Sequence, residues 1–270
     1  MGKIINKLLP IALTFDIEKY DFDNSINKSK IDSWATIANG INKVIHNLKN
    51  IEQQEDIKLH TTWFIRCDNE VMYEKGERGY ILEKYKKIWM DLSKKGHEIA
   101  FHPHLYSLKN KNWRQEMNPK EQEKQIKDSY KDFLSKGFNP KSSKIGDAYS
   151  SNHIIKALND LGIEFDCTAM PGRIRKDNQR QIDWGITTNN FYNPSHEDYR
   201  IEGKMNHEII EIPMTMIPTK ADYDQKRFFR YLDLSFHSRV FVEGFDKLVI
   251  NSKYILATMH PSSILESEHK

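Results

Sequence analysis

The sequence predicts an α/β protein whose parallel strands form a closed or nearly closed barrel with helices packed outside. Two observations carry this reading. Short apolar runs alternate with helix-period stretches along most of the chain, the pattern of βα units. Seven or so strands follow in βα order, which fits a closed or nearly closed barrel. An open doubly wound sheet is the alternative. No GxGxxG or GxxxxGK[ST] follows the first strand, which weakens a dinucleotide or nucleotide site.

The elements follow in order. "IALTF" at 11–15 is a short apolar run and reads as a buried strand. Within 31–51, Ile31, Trp34, Ile37, Ile41, Val44, Ile45 and Leu48 share one helical stripe. Residues 57–65, "IKLHTTWFI", are β-branched and aromatic and read as the second strand. A helix at 79–95 closes on Gly96, a residue suited to a helix C-terminus. "HEIAFH" at 97–102 is the third strand, and a polar loop leads to a helix at 119–135. A short strand at 142–148 precedes a helix at 151–162, with Ser151 as its N-cap. A strand at 163–169 follows. Residues 172–208 are polar and read as loops with room for a hairpin. Strands at 208–214 and 253–260 flank helical segments at 223–233 and 237–251.

Composition limits the function classes. The 270 residues are read as a single domain, with 41 basic against 38 acidic residues and a net charge of +3. Lys and Glu alternate along the helices, as solvated faces do, so no nucleic-acid partner is expected. Cys67 and Cys167 stand alone, which fits a reduced compartment. The N-terminus lacks a signal-type apolar stretch, and no window nears the ~20 apolar residues of a membrane span. A cytoplasmic location is expected.

In βα barrels, reactive groups gather at the C-terminal ends of strands. Here those ends carry Asp16 and Glu18, Arg66 and Asp68, His102 and His104, Lys144 and Asp147, and finally His260. Residues i and i+2 on a strand share a face, so His102 and His104 can take one divalent ion. Asp16 and Glu18 have the same spacing, which lets one ligate while the other serves as general base. His260 can face the pocket from the opposite side and donate a proton near neutral pH. His60, His97, His153 and His207 read as structural or solvent-facing.

"ALTFDIE", "TTWFIR", "GHEIAFHPH", "KIGDAYSSNHIIKALNDLGIEFD" and "ATMHP" together resemble the NodB-homology polysaccharide deacetylases, carbohydrate esterase family four, over residues 11–261. The resemblance implies a distorted (β/α)7-type, NodB-like barrel. It also implies a divalent metal on one acidic residue and two histidines. Asp16 matches the family's base and His260 its acid. The usual metal Asp position holds Ile17, so Glu18 takes the acidic ligand's place. His102 matches the first metal histidine; the second falls on Tyr106, and His104 takes over. Lys144 stands where the family has an arginine. The chain looks like members linked to surface-polysaccharide biosynthesis.

The expected function is therefore metal-dependent hydrolysis of an N-acyl amide, with acetyl as the expected acyl group. The substrate would be an amino sugar, free or carried on a nucleotide or lipid. Zn²⁺ is the expected ion, held by Glu18, His102 and His104. Asp16 is the base and His260 the acid. Lys144 or Arg66 either orients Asp16 or holds an anionic substrate group. Asp68, Asp147, Tyr149, Tyr106 and Trp184 are candidates for substrate contact. The competing readings are a deformylase on a formamido sugar, a metal-free carbohydrate-binding protein and, more remotely, an amidohydrolase-type barrel.

Overall fold

The computed structural model describes residues 8–19, 34, 37–177, 180–222, 224–234, 244–245 and 248–263. The chain runs β1 (Ile11–Ile17), α1 (Ile37–Glu55), β2 (Thr62–Arg66), α2 (Asn69–Lys75), α3 (Tyr80–Lys84), α4 (Lys86–Lys94) and β3 (Glu98–His102). It continues through β4 (Tyr106–Lys109), β5 (Asn112–Gln115), α5 (Pro119–Ser135), β6 (Ser142–Ser143), α6 (Asn152–Asp160) and β7 (Phe165–Asp166). The last part holds β8 (Ile174–Lys176), β9 (Gln181–Asp183), β10 (Ile210–Glu211), β11 (Met216–Thr219), β12 (Phe228–Tyr231) and β13 (Ile255–Met259).

Seven strands form one sheet in the order β10-β7-β6-β3-β2-β1-β13, and every ladder in it is parallel. The sheet curls into a distorted (β/α)7 barrel. Strands β10 and β13 do not pair directly. Residues 212–215 cross the gap instead: Ile212 N donates to Asp166 O, Met214 N to Ala169 O and Thr215 N to Leu256 O. The seam is thus closed by irregular backbone whose polar groups are still satisfied.

The helices bury the stripes read from the sequence. In α1, Ile37, Ile41, Val44 and Leu48 face the core. A Cβ on Gly40 would lie 2.2 Å from Pro261 O. Only glycine lets α1 touch the turn after β13, and that contact fixes the chain beside His260. Trp63, Trp89, Phe101 and Phe133 are fully buried between sheet and helices. Among the described residues, no helix is long and apolar enough to cross a membrane.

Some elements depart from expectation. The helix read at 223–233 is overturned, because residues 228–231 form β12, antiparallel to β11. Phe228, Phe229 and Tyr231 favour an extended chain once a partner strand is present. The helix read at 79–95 is broken at Tyr85, whose φ of −112° is not helical. The strand read at 142–148 is paired only over Ser142–Ser143, and the chain turns away at Asp147 and Ala148, with positive φ of 54° and 53°. The loop after the third strand contains the β4–β5 hairpin, turned at Asn110 and Lys111 with φ of 52° and 63°. The hairpin allowed for in 172–208 is β8–β9. Much of the helix read at 237–251 lies outside the described residues; 244–245 and 248–251 are helical.

Candidate metal centre and active-site cleft

Thr14, Asp16 and Glu18 alternate to one side of β1 and its end, toward the barrel interior, while Ile17 packs in the outer core. That alternation is why Ile17 is no ligand and Glu18 is free to be one. Strand β3 delivers His102, and the turn after it delivers His104. One ligand atom from each of Glu18, His102 and His104 lies within 4.8 Å of the others.

His102 Nδ1 lies 2.7 Å from the carbonyl oxygen of Lys144. A carbonyl only accepts, so Nδ1 carries the proton and Nε2 presents its lone pair to the site. His104 Nε2 is buried without a hydrogen-bond partner, although it stands 2.9 Å from Glu18 Oε2. The contact is close in distance but not aligned as a hydrogen bond. His102 Nε2 stands 3.8 Å from the same oxygen. Ligands on a tetrahedral zinc, at about 2.1 Å from the ion, sit roughly 3.4 Å apart. The two measured separations bracket that value. An orphaned imidazole nitrogen, a tautomer fixed by its other nitrogen and an N₂O donor set together fit a divalent ion.

His104 is seated by its surroundings. Its backbone N–H donates to Asp68 Oδ2 at 3.1 Å. Its ring lies on Gly146, where a Cβ would meet His104 Cδ2 at 2.0 Å. Asp68 also caps α2 through Glu70 N and Val71 N. Arg66 Nε donates to Asp68 at 2.7 Å, its Nη2 bonds Glu70, and its Nη1 lies 3.9 Å from Glu18.

Burial by itself would raise the Glu18 carboxyl, but His104, His102 and His260 outweigh it and hold the group well below the usual carboxylate range. Burial likewise opposes the charge on His260; Asp233, Glu18 and Asp16 overcome it and hold this imidazole well above its ordinary value. His260 Nε2 lies 3.1 Å from Glu18 Oε1 and 3.8 Å from Asp16 Oδ2, and its Nδ1 lies 3.8 Å from Asp233 Oδ2.

Lys144 crosses the barrel interior over the ring of Phe64. Its Nζ donates to Asp16 Oδ1 at 2.8 Å, Thr258 Oγ1 at 3.1 Å and Thr14 Oγ1 at 3.2 Å. An ammonium has three protons, and all are used. The second Asp16 oxygen lies 3.8 Å from His260 Nε2.

Several substrate-contact expectations meet a different geometry. Lys144 is fully buried with all three ammonium protons used, and Arg66 is fully buried and engaged by Asp68 and Glu70, so neither is presented to an anionic substrate group. Asp68 is buried as a cap and backbone acceptor. Trp184 is fully buried, its indole N–H donating to Ala148 O at 2.8 Å. Tyr149 is buried, its hydroxyl accepting from Gln122 at 2.6 Å. None of these three offers a sugar a free face. Tyr106 and Asp147 remain at the rim: Tyr106 donates to Asp147, which also meets Arg180 at 3.0 Å. The residue that sequence reasoning missed is Asp233. It sits just past β12, inside the stretch misread as helix, where no local motif marks it.

Fold and site thus define a distorted (β/α)7 barrel with two histidines and a carboxylate clustered at the strand C-termini. Comparison with solved structures gives the same fold class. A protein from Mycobacterium smegmatis named for the polysaccharide deacetylases superposes with a TM-score of 0.57 at 14% identity, over 97% of this chain and 80% of that one. A family 4 carbohydrate esterase from Streptomyces lividans, solved with acetate, gives 0.43 at 9% identity, over 95% and 83%. A polysaccharide-deacetylase-type protein from Bordetella bronchiseptica, named for O-antigen biosynthesis, gives 0.42 at 11% identity, over 93% and 71%. No protein-family model matches the chain, and no curated protein matches it in sequence. The first of these likenesses shows the NodB-like fold that the motifs resemble.

Proposed function

We propose that this chain is a metal-dependent hydrolase that removes an N-acyl group, acetyl in the first instance, from an amino sugar or surface-polysaccharide precursor. One domain carries the whole reaction. The observation that supports it best is the meeting of Glu18, His102 and His104 beside a separately held Asp16 and a cationic His260. Two of these residues would be unremarkable; five with complementary roles at the mouth of one barrel are not.

A zinc ion on Glu18, His102 and His104 would supply Lewis acidity toward the acyl carbonyl and a lowered pKa for water at the site. Asp16 accepts the proton of the attacking water through the oxygen that Lys144 does not hold, while Lys144 keeps the carboxylate oriented. Water adds to the acyl carbon, the C–N bond breaks, and the products are a carboxylate and a free sugar amine. His260 gives its proton to the departing nitrogen, and Asp233 faces its other ring nitrogen. Tyr106 and Asp147 shape the rim on the His104 side.

Acetate release from N-acetylglucosamine oligomers tests this reading. It should require zinc, stop with chelator and return on zinc addition. Asp16→Asn and His260→Ala should each lower kcat by about 10²–10⁴-fold, the span of general acid–base contributions. Acyl release that is indifferent to chelator and to both variants would refute the assignment.

A further inference from the structure

We infer that the cavity beside His260 is an anion subsite in which Arg173 takes an oxyanion carried by the substrate. The inference rests on the hydrolase reading and names the substrate class: an acylamino sugar bearing a phosphate or carboxylate group.

The cavity measures 410 Å³; its charged lining residues are Arg173, Arg230, Asp224 and Asp233, of which Asp224 is spent on Arg230, and Tyr231 and Phe229 supply aromatic wall. It adjoins the proposed proton donor. The Tyr231 ring centroid lies 6.5 Å from that of His260, and Asp233 Oδ2 lies 3.8 Å from His260 Nδ1. A group bound here would sit on the side of His260 that faces away from Glu18.

The arginines around the cleft differ in one respect. Arg230 meets Asp224 at 2.8 Å, Arg175 meets Asp177 at 2.5 Å, and Arg180 meets Asp147 at 3.0 Å. Arg173 meets no carboxylate among the described residues. Its Nη1 reaches only the carbonyl of Phe229, at 3.3 Å. A guanidinium has five N–H donors, so most of these await a partner. Burial, then the neighbouring charges of Arg175 and Arg230, disfavour the cation and push its pKa down. An incoming oxyanion would relieve both the missing bonds and the repulsion.

The side chain is presented from a fixed backbone. Gly172, at φ +78°, turns the chain, and its N–H donates to Trp184 O at 3.0 Å. Arg173 N donates to Met170 O, and Trp184 N donates to Arg173 O, both at 2.9 Å. Lys144 has no donor to spare and Arg66 is buried against Asp68 and Glu70, so an anionic part of the substrate would be met outside the barrel interior. Arg173 is the cation placed to meet it.

The shared chemistry is an oxyanion, which a diphosphate-linked sugar or a uronic acid would each supply. Isothermal titration of the purified protein with inorganic pyrophosphate, methyl β-glucuronide and neutral methyl N-acetylglucosaminide separates them. Binding of pyrophosphate alone points to a phosphate-linked sugar, and binding of the glucuronide alone to an acidic sugar. Arg173→Gln should weaken the anionic probe about ten-fold or more, the scale of losing a charge-assisted hydrogen bond. Arg173→Lys should fall between the two. Binding should persist in His102→Ala, which excludes simple capture by a bound metal.

No binding of either anion at millimolar concentration overturns the subsite, as does Arg173→Gln binding as tightly as the unchanged protein, or loss of binding in His102→Ala. Those results with zinc-dependent acyl release intact remove the subsite alone. Arg173-dependent anion binding in a protein with neither metal nor acyl release removes the hydrolase reading alone.

Discussion

His102 Nδ1 and the backbone carbonyl of Lys144 meet at 2.7 Å, while the side chain of that lysine reaches Asp16 at 2.8 Å. One residue therefore orients a proposed metal ligand through its main chain and the proposed base through its side chain. The two tasks separate by mutation. Lys144→Met should keep the metal, because the carbonyl stays. It should lose kcat by about 10²-fold or more as the base loses its orientation. Stability should fall by about 3–5 kcal/mol, the cost of leaving a buried carboxylate unpaired. Zinc content, thermal unfolding and acyl release measure the three effects; loss of zinc would deny the division of labour.

Gly146 gives the His104 ring its seat. With a Cβ placed 2.0 Å from His104 Cδ2, Gly146→Ala must push the imidazole out of position. Metal affinity should fall about 10–100-fold, as it does when groups that orient ligands are disturbed. Competition with a chromogenic chelator reads the change, and an unaltered affinity would show that His104 is not a ligand.

Asp233 faces the second nitrogen of His260 at 3.8 Å. Its negative charge helps hold His260 protonated. Asp233→Asn should lower the His260 pKa and move the alkaline limb of the kcat–pH profile to lower pH by about one unit. An unmoved limb would remove His260 as the titrating acid.

Away from the site, Asp166 and Glu211 are register partners on β7 and β10. Each is buried with one oxygen that no donor reaches, and a proton on Glu211 closes the pair. Burial first, and then the charge of Asp166, raises Glu211 well above its ordinary value. Its folded pKa exceeds the unfolded value of about 4.3. Its contribution to stability is therefore fully present below pH ~4.3 and is lost as pH rises through the folded value. Glu211→Gln keeps the shape without the titration. It should match the unchanged protein in acid and be the more stable at pH 8, as denaturant melts at both pH values would show.

The barrel was legible because its signals are local. Strand β3 and its two histidines stand in one short run, and the stripe of α1 needs only helical spacing. Asp16, Glu18 and His260 were legible as strand ends. Tertiary partners hid the rest. Phe228–Tyr231 is extended because Met216–Thr219 lies beside it, and the helix misreading concealed Asp233. Trp184 and Tyr149 are aromatic rings that suggest a sugar-stacking face, yet both are buried and their polar atoms are taken by Ala148 and Gln122. Sequence spacing does not reveal which donors are already spent. That distinction is what takes Lys144 out of anion recognition, since its three protons go to Asp16, Thr258 and Thr14.

The most direct measurement is elemental analysis of the purified protein beside Glu18→Ala, His102→Ala and His104→Ala. The account predicts about one zinc per chain in the unchanged protein and its loss in each variant. Equal metal in all four proteins would contradict it.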